Sequence, residues 1–321
     1  MRGIRLVLAA VGVAFASMEA TAQTWPGRPI RAIVPFSAGS GTDVISRVVL
    51  DQLSTVLGQP IVVENRGGAG ATIGAAMVAK AEPDGHTVLT PSSALTSAPA
   101  LHANLPYDTA RDFAAVVPFG SSPHVLVVSP SRGFKTIHDL VAAARAKPGS
   151  FNFASAGVGT ATHLSAERFR LSAGFDATHI PFKGGPEAVT EVMAGRVDFF
   201  VAPPAIVLPH VREGTLLALA ANGPRRSSAL PDVPTMLEAG FANSDYVTWF
   251  GILVPAKTPR GIVNKLHRET QKALRELKVR EKLEALGVEP MTMTPDEFDA
   301  RVKSEIAMNA ALVRTIGLRA N

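Results

Sequence analysis

The 321-residue chain contains no cysteine. That single absence excludes disulfides, thiolate nucleophiles, iron–sulfur clusters and thiolate zinc sites. Aromatic residues make up only 6% of the chain, and no segment interleaves them with Lys and Arg, so no nucleic-acid surface is expected. The eight histidines show neither H-x-x-x-H nor H-E-x-x-H spacing, which leaves no metal motif. There is no G-x-S-x-G nucleophile elbow, and no catalytic set or cofactor is expected. No apolar run approaches the roughly 20 residues that a membrane-spanning helix needs.

What is present begins with an export address. Arg2 and Arg5 precede the apolar stretch from Leu6 to Met18, and Ala20-Thr21-Ala22 supplies a small-x-small cleavage signal. Residues 1–22 are therefore expected to be a signal peptide cleaved after Ala22, placing a mature chain that starts at Gln23 in the periplasm. No cysteine stands at that junction, so no lipid anchor is expected. The mature chain loses Arg2, Arg5 and Glu19 and carries a formal charge of +4, against +5 for the whole. Its cations are scattered and would draw in small anions only weakly. About 300 residues are long for one core and predict two domains.

Strand and helix patterns then alternate. Ile30–Phe36 reads as a strand, Thr42–Leu57 as a helix closed by Gly58, Ile61–Val63 as a strand and Gly70–Ala81 as a helix. Val88-Leu89 lies in a third strand before the loop Pro91-Ser92-Ser93. In a second series His124–Val128, Phe151–Ala154, Thr178–Pro181, Val197–Val201 and Leu216–Ala220 read as strands. Ile137–Ala146, Thr160–Leu171 and Pro186–Ala194 read as the helices between them. Tyr246–Pro255 is one more apolar extended segment, and 258–316 is almost wholly helical, divided by Pro290 and Pro295. Strands apolar on both faces, separated by helices, predict an α/β fold with mostly parallel sheets. A helical tail has no sheet of its own and is expected to pack back on the first one. Domain one would then comprise 23–122 and 247–321, and domain two 123–246. Two crossings make a hinge, and the cleft beside it is where open α/β sheets bind ligands.

Two loops stand out in that cleft. Ser37-Ala38-Gly39-Ser40-Gly41-Thr42 and Ser155-Ala156-Gly157-Val158-Gly159-Thr160 share the pattern S-A-G-x-G-T, 118 positions apart. Each follows a strand and opens a helix, where unpaired N–H groups and the helix dipole favour an anion. Gly39 and Gly41 in the first loop, and Gly157 and Gly159 in the second, are expected to permit positive φ beside a ligand. Thr42 reads as the helix N-cap, with Asp43 in the first turn. His163 lies beside the second anion position, as a ligand contact or as a structural hydrogen-bonding group. Ser92 offers a hydroxyl and Lys183 a counter-charge to the cleft, or each is a solvated loop residue. Gly68-Ala69-Gly70-Ala71-Thr72-Ile73-Gly74 imitates a dinucleotide fingerprint, but its spacing is G-x-G-x-x-x-G and no acid ends the next strand. A third glycine turn lining the cleft fits it better.

With these residues placed, an ordered set of motifs becomes visible. It runs from Trp25-Pro26-x-Arg28-Pro29-Ile30 through Val34-Pro35-Phe36-x-Ala38-Gly39-x-x-x-Asp43 and Val63-Glu64-Asn65-Arg66-x-Gly68-Ala69-Gly70. Pro83-Asp84-Gly85-His86-Thr87, Leu105-Pro106-Tyr107-Asp108 and Ala156-Gly157-x-Gly159-Thr160-x-x-His163-Leu164 follow. Pro181-Phe182-Lys183-Gly184, Trp249-Phe250-Gly251 and Pro255-Ala256-Lys257-Thr258-Pro259 complete it. The chain resembles the Bug-type receptors, extracytoplasmic solute-binding proteins of tripartite tricarboxylate transporters, from about Trp25 to Gly317. The resemblance implies a two-domain periplasmic-binding-protein fold of class II with a discontinuous first domain and a ligand cleft between the lobes. It implies a small carboxylate as ligand, held by Phe36, Ala38, Gly39 and Asp43 on one side and by Ala156, Gly159, Thr160 and His163 on the other. Two positions depart from the family pattern. Ser40 replaces the second of two adjacent glycines, and Ala202 stands where many members carry an acid, which favours a carboxylate without an amine.

The expected function is therefore that of a monomeric receptor that closes on a small organic carboxylate and delivers it to integral-membrane permease subunits. The expected ligand contacts are Phe36, Ala38, Gly39, Thr42, Asp43, Ser92, Ser155, Ala156, Gly159, Thr160, His163 and Lys183. Two alternatives stand beside it: an exported serine hydrolase using Ser92 or Ser155 with His163, and a ligand sensor that signals to a membrane kinase.

Overall fold

The computed structural model describes residues 25–315 and 317–318, so the expected signal peptide and its cleavage site lie outside the described residues. The first stretch carries β1 (Ile30–Val34), α1 (Gly41–Leu57), β2 (Ile61–Asn65), α2 (Thr72–Ala79), β3 (Thr87–Leu89), α3 (Ala98–Leu101) and β4 (Phe113–Pro123). There follow β5 (Val125–Val128), α4 (Ile137–Ala146), β6 (Phe151–Ser155), α5 (Ala161–Ala173), β7 (Ala177–Pro181), α6 (Gly185–Met193), β8 (Phe199–Ala202), α7 (Pro204–Arg212) and β9 (Leu217–Ala221). The chain closes with β10 (Val247–Pro255), α8 (Arg260–Arg275), α9 (Leu277–Ala285) and α10 (Pro295–Thr315).

These strands form two five-stranded sheets, in the orders β2-β1-β3-β10-β4 and β7-β6-β8-β5-β9. The sheets follow one plan. In each, four strands share a direction and one opposes them, β10 in the first and β5 in the second. The opposing strand is the one that has just come through a crossing. The expectation of mostly parallel pairing is corrected accordingly: half of the strand pairs in each sheet are antiparallel.

Apolar faces explain the layers. In α1 the buried residues Ile45, Val49, Leu50 and Leu53 recur at helical spacing and meet Ile30, Ala32 and Val88 of the sheet. Val263 and Leu266 of α8 join that face, while Phe298 and Val302 of α10 cover the other, against Trp249 and Leu253. In the second sheet Phe153, Phe169 and Phe199 pack one face and Val192, Phe200 and Val207 the other. Each such side chain contributes roughly 1.5–3 kcal/mol by leaving water.

Two elements differ from the sequence expectation. β4 is an eleven-residue edge strand where no strand was predicted, and its pairing with β10 slips at Pro118 and again at Ala115. A proline is tolerated at an edge strand's bulge because no ladder bond is lost there. α7 forms across Pro203-Pro204 because Pro204 sits at the first helical position, where a missing N–H costs nothing.

The chain passes between sheets at His124 and again between Ala221 and Val247. The crossings lie side by side. Asn222 N–H donates to His124 O at 2.9 Å, and Tyr246 N–H donates to Asn222 O at 2.9 Å.

Candidate functional site

The two loops bring helix N-termini to facing walls. Ser40 has extended backbone (φ −65°, ψ 158°) and its Oγ accepts from Asp43 N–H at 3.3 Å, so Ser40 is the N-cap of α1. Thr42, expected as the cap, is instead the second residue of the helix. Thr160 takes the same backbone position at α5 (φ −67°, ψ 162°) without a side-chain capping bond. The glycine before each cap is left-handed, with φ 75° at Gly39 and 74° at Gly159. Asp43 Oδ2 accepts from Gly39 N–H at 2.9 Å, and His163 Nδ1 accepts from Gly159 N–H at 3.0 Å. The equivalent pairs are thus Gly39 with Gly159, Ser40 with Thr160, and Asp43 with His163. All three are spaced by 120 positions, whereas the shared S-A-G-x-G-T strings are spaced by 118. The repeated string is out of register with the repeated geometry.

Each loop is tied from behind. The Asp43 carboxylate also accepts from Arg47 Nε (2.9 Å) and Asn65 Nδ2 (2.9 Å). Burial alone would raise the Asp43 carboxyl, but bonds from Arg47, Asn65 and Gly39 outweigh it and hold the group below its usual range. His163 stacks on His179 with ring centroids 3.6 Å apart. Burial, then the neighbouring His179 and Arg170, push His163 down to about 3, so the ring is neutral and Nδ1 is free to accept. Burial also pushes His179 down to about 4.

Between the walls lies a cavity of about 30 Å³. Five expected residues line it: Phe36, Thr42, Ser92, Ala156 and Thr160. Ser40, singled out in the sequence as a departure from the family pattern, lines it too. His124, Thr162, Pro203, Ile206, Thr248 and Phe250, which sequence reasoning missed, complete most of the lining. No Asp, Glu, Lys or Arg lines it; the polar groups are hydroxyls, backbone and one imidazole. Asp43 and His163 face their own glycines and do not line the cavity. Ala38 and Gly39 are exposed, and Gly39 lines a separate outer cavity of about 750 Å³ with Pro186 and Ile206. Lys183 is exposed and lines a separate outer cavity of about 260 Å³, which shares Phe36 and Ala156 with the inner one. Ser155 is buried behind the second loop and pairs with His179 Nε2 at 2.6 Å, not with His163. The Ser155–His163 dyad of the hydrolase alternative does not form.

The walls are in contact. Ser97 Oγ donates to Gly159 O at 2.7 Å across the cleft. A Cβ on Gly41 would stand 2.9 Å from Pro203 Cβ, and one on Gly159 would overlap Leu101 Cδ1. Thirty cubic ångströms admits a water or two but no organic acid, so entry requires the lobes to part. A pair of helix N-termini over a neutral, hydroxyl-lined space suits an anion of few atoms.

Known proteins resemble this chain over most of its length. Among the described residues no helix is long and apolar enough to cross a membrane. The profile of the tripartite tricarboxylate transporter family receptor matches residues 45–318. Protein BugT of Bordetella pertussis is 37% identical over 98% of both chains. Among solved structures, Rpa4515 of R. palustris with adipate has a TM-score of 0.88 at 29% identity, covering 92% of this chain and 99% of that one. MatC of Rhodopseudomonas palustris with bound malate has a TM-score of 0.85 at 31% identity, covering 90% of this chain and 100% of that one. These relatives are receptors rather than enzymes, which sets the hydrolase alternative aside. On the extent of these matches, the chain belongs to the receptor family of the tripartite tricarboxylate transporters.

Proposed function

We propose that this chain is a periplasmic receptor that captures a small organic carboxylate between its lobes and hands it to the permease subunits of a tripartite transporter. The observation that carries this reading is the meeting of two helix N-termini at one cavity without a charged side chain. Adipate and malate in the two structural relatives support the ligand class. Neutral donors and helix dipoles hold a carboxylate without the cost of burying a second charge.

Phe36, Thr42, Ser92, Ala156 and Thr160 contact the acid in this reading, with backbone N–H groups of both loops. Asp43 and His163 shape those loops, Ser155 braces the second, Ala38 and Gly39 form the lip, and Lys183 attracts anions at the outer mouth. The lobes comprise 23–122 with 247–321, and 123–246, and the working form is a monomer released by cleavage after Ala22. Closure is a population shift, since a ligand touching both walls binds the closed state better.

A thermal-shift screen with malate, adipate and a wider panel of carboxylic acids tests this. An acid at 100 times its dissociation constant stabilises by about 2.7 kcal/mol. A flat response to every acid in the panel sinks the reading.

A further inference from the structure

The floor of the inner cavity holds a chain of hydrogen bonds whose direction is fixed where the polypeptide crosses between lobes. His124 N–H donates to Asn222 Oδ1 at 2.6 Å. That bond orients the Asn222 amide and leaves Nδ2 as donor to Ser165 Oγ at 3.0 Å. Ser165, accepting there, turns its own proton to His124 Nδ1 at 3.2 Å. Nδ1 is therefore the bare nitrogen of the ring, and Nε2 carries the proton and donates it to Thr248 Oγ1 at 3.1 Å. Thr248 keeps a hydroxyl proton with no acceptor among the described residues, and it lines the cavity. All four side chains are buried, with Asn222 and Ser165 fully so and His124 and Thr248 at 1% exposure. Burial pushes the His124 imidazole down to about 3, which keeps the ring neutral and the order of donors intact.

We propose that Thr248 donates this proton to an oxygen of the bound acid, and that His124, Ser165 and Asn222 are positioning residues that aim it. The proposal rests on the carboxylate-receptor reading. It adds a contact outside both glycine loops and ties it to the hinge. Ser165 belongs to the second lobe, Thr248 to the first, and His124 and Asn222 to the two crossings between them. An acid that accepts from Thr248 completes a run of polarised bonds spanning both lobes, each bond strengthening the next.

Two measurements decide it. Long-range proton–nitrogen NMR of the imidazoles in the ligand-free protein should show His124 protonated at Nε2. Asn222→Asp reverses the chain: the carboxylate takes the Ser165 proton, Ser165 accepts from Nδ1, and Thr248 turns its proton to a bare Nε2. The tautomer should swap. In calorimetric titration with malate and adipate, Thr248→Val should weaken binding by about tenfold or more, the loss of one bond to a charged group. Asn222→Asp should cost about as much while removing no ligand contact, the double variant should cost no more than either single one, and Thr248→Ser should restore affinity. Wild-type His124 protonated at Nδ1, unchanged affinity in Thr248→Val, or multiplying losses in the double variant each overturn the proposal alone. A wild type that binds no acid of the wider panel, with His124 protonated at Nε2, overturns the receptor reading and the ligand contact with it.

Discussion

One wall of the cleft closes its loop on a carboxylate, the other on an imidazole. Asp43 and His163 do the same work, each accepting the N–H of a left-handed glycine four residues earlier. Their supports differ. Asp43 is held by Arg47 and Asn65 and needs its charge, whereas His163 is held by burial against His179 and needs to lack one. What the two walls share is backbone geometry, and the side chains that enforce it are interchangeable in function yet opposite in chemistry. The first wall should therefore tolerate acid and respond to loss of its ion pair, and the second should do the reverse.

The largest test of that contrast is at the two glycines. Gly159→Val adds a branched side chain at positive φ that also collides with Leu101, so closure fails and acid binding should fall by at least about 100-fold. A Cβ at Gly39 meets only Pro186 Cγ at an ordinary 3.7 Å, so Gly39→Ala should cost on the order of 1–2 kcal/mol of strain and keep binding. Calorimetric titration of both variants checks this; equal losses would dissolve the contrast.

The next test is pH. An imidazole near 6.5 in the unfolded chain and about 3 in the folded one binds more protons when unfolded. Its contribution is complete above about pH 6.5 and is lost as pH falls toward 3. Between pH 7 and 5 that loss is roughly 2 kcal/mol for His163, and His124 adds a similar amount. The Asp43 contribution is present above its unfolded value of 3.8 and is lost only below it. Urea denaturation at both pH values should show the decline, and His163→Gln should remove part of it. A stability flat from pH 7 to 5 would contradict the neutral, buried imidazoles.

The smallest effect concerns the caps. Ser40→Ala removes a capping bond and should cost about 1 kcal/mol in chemical denaturation. Thr160→Ala removes no capping bond but does remove the bonds of its buried hydroxyl to Gly157 O (2.7 Å) and Thr162 Oγ1 (2.8 Å). It should cost about 1 kcal/mol as well and, unlike Ser40→Ala, also lower acid affinity in calorimetric titration.

Much of this was legible in the sequence, and the exceptions have physical reasons. Helices such as α1 and α5 announce themselves by apolar period, and both loops were found from glycines between a strand and a helix. β4 was not, because Pro118 and Gly120-Ser121-Ser122 read as turn residues, and only pairing with β10 makes them an edge strand. α7 was hidden by Pro203, Pro204 and Pro209. The cavity floor was least visible of all. His124 and Thr248 are polar residues in or beside apolar strands, 124 positions apart, and nothing local marks them as neighbours. The roles of Asp43 and His163 did carry a signal, an acceptor four residues after a glycine that precedes a helix cap. The identical S-A-G-x-G-T strings drew attention two residues away from it.

The strand order has a consequence for how the molecule is made. β10 lies between β3 and β4, yet it is synthesised only after all of β5–β9. Until it arrives, β4 has no partner in its sheet, and the first lobe is a half-built structure with an open flank. The second lobe is contiguous in sequence and can complete itself meanwhile. The order of assembly is thus written into the topology: the inserted lobe is finished first, and the lobe that begins and ends the chain is finished last.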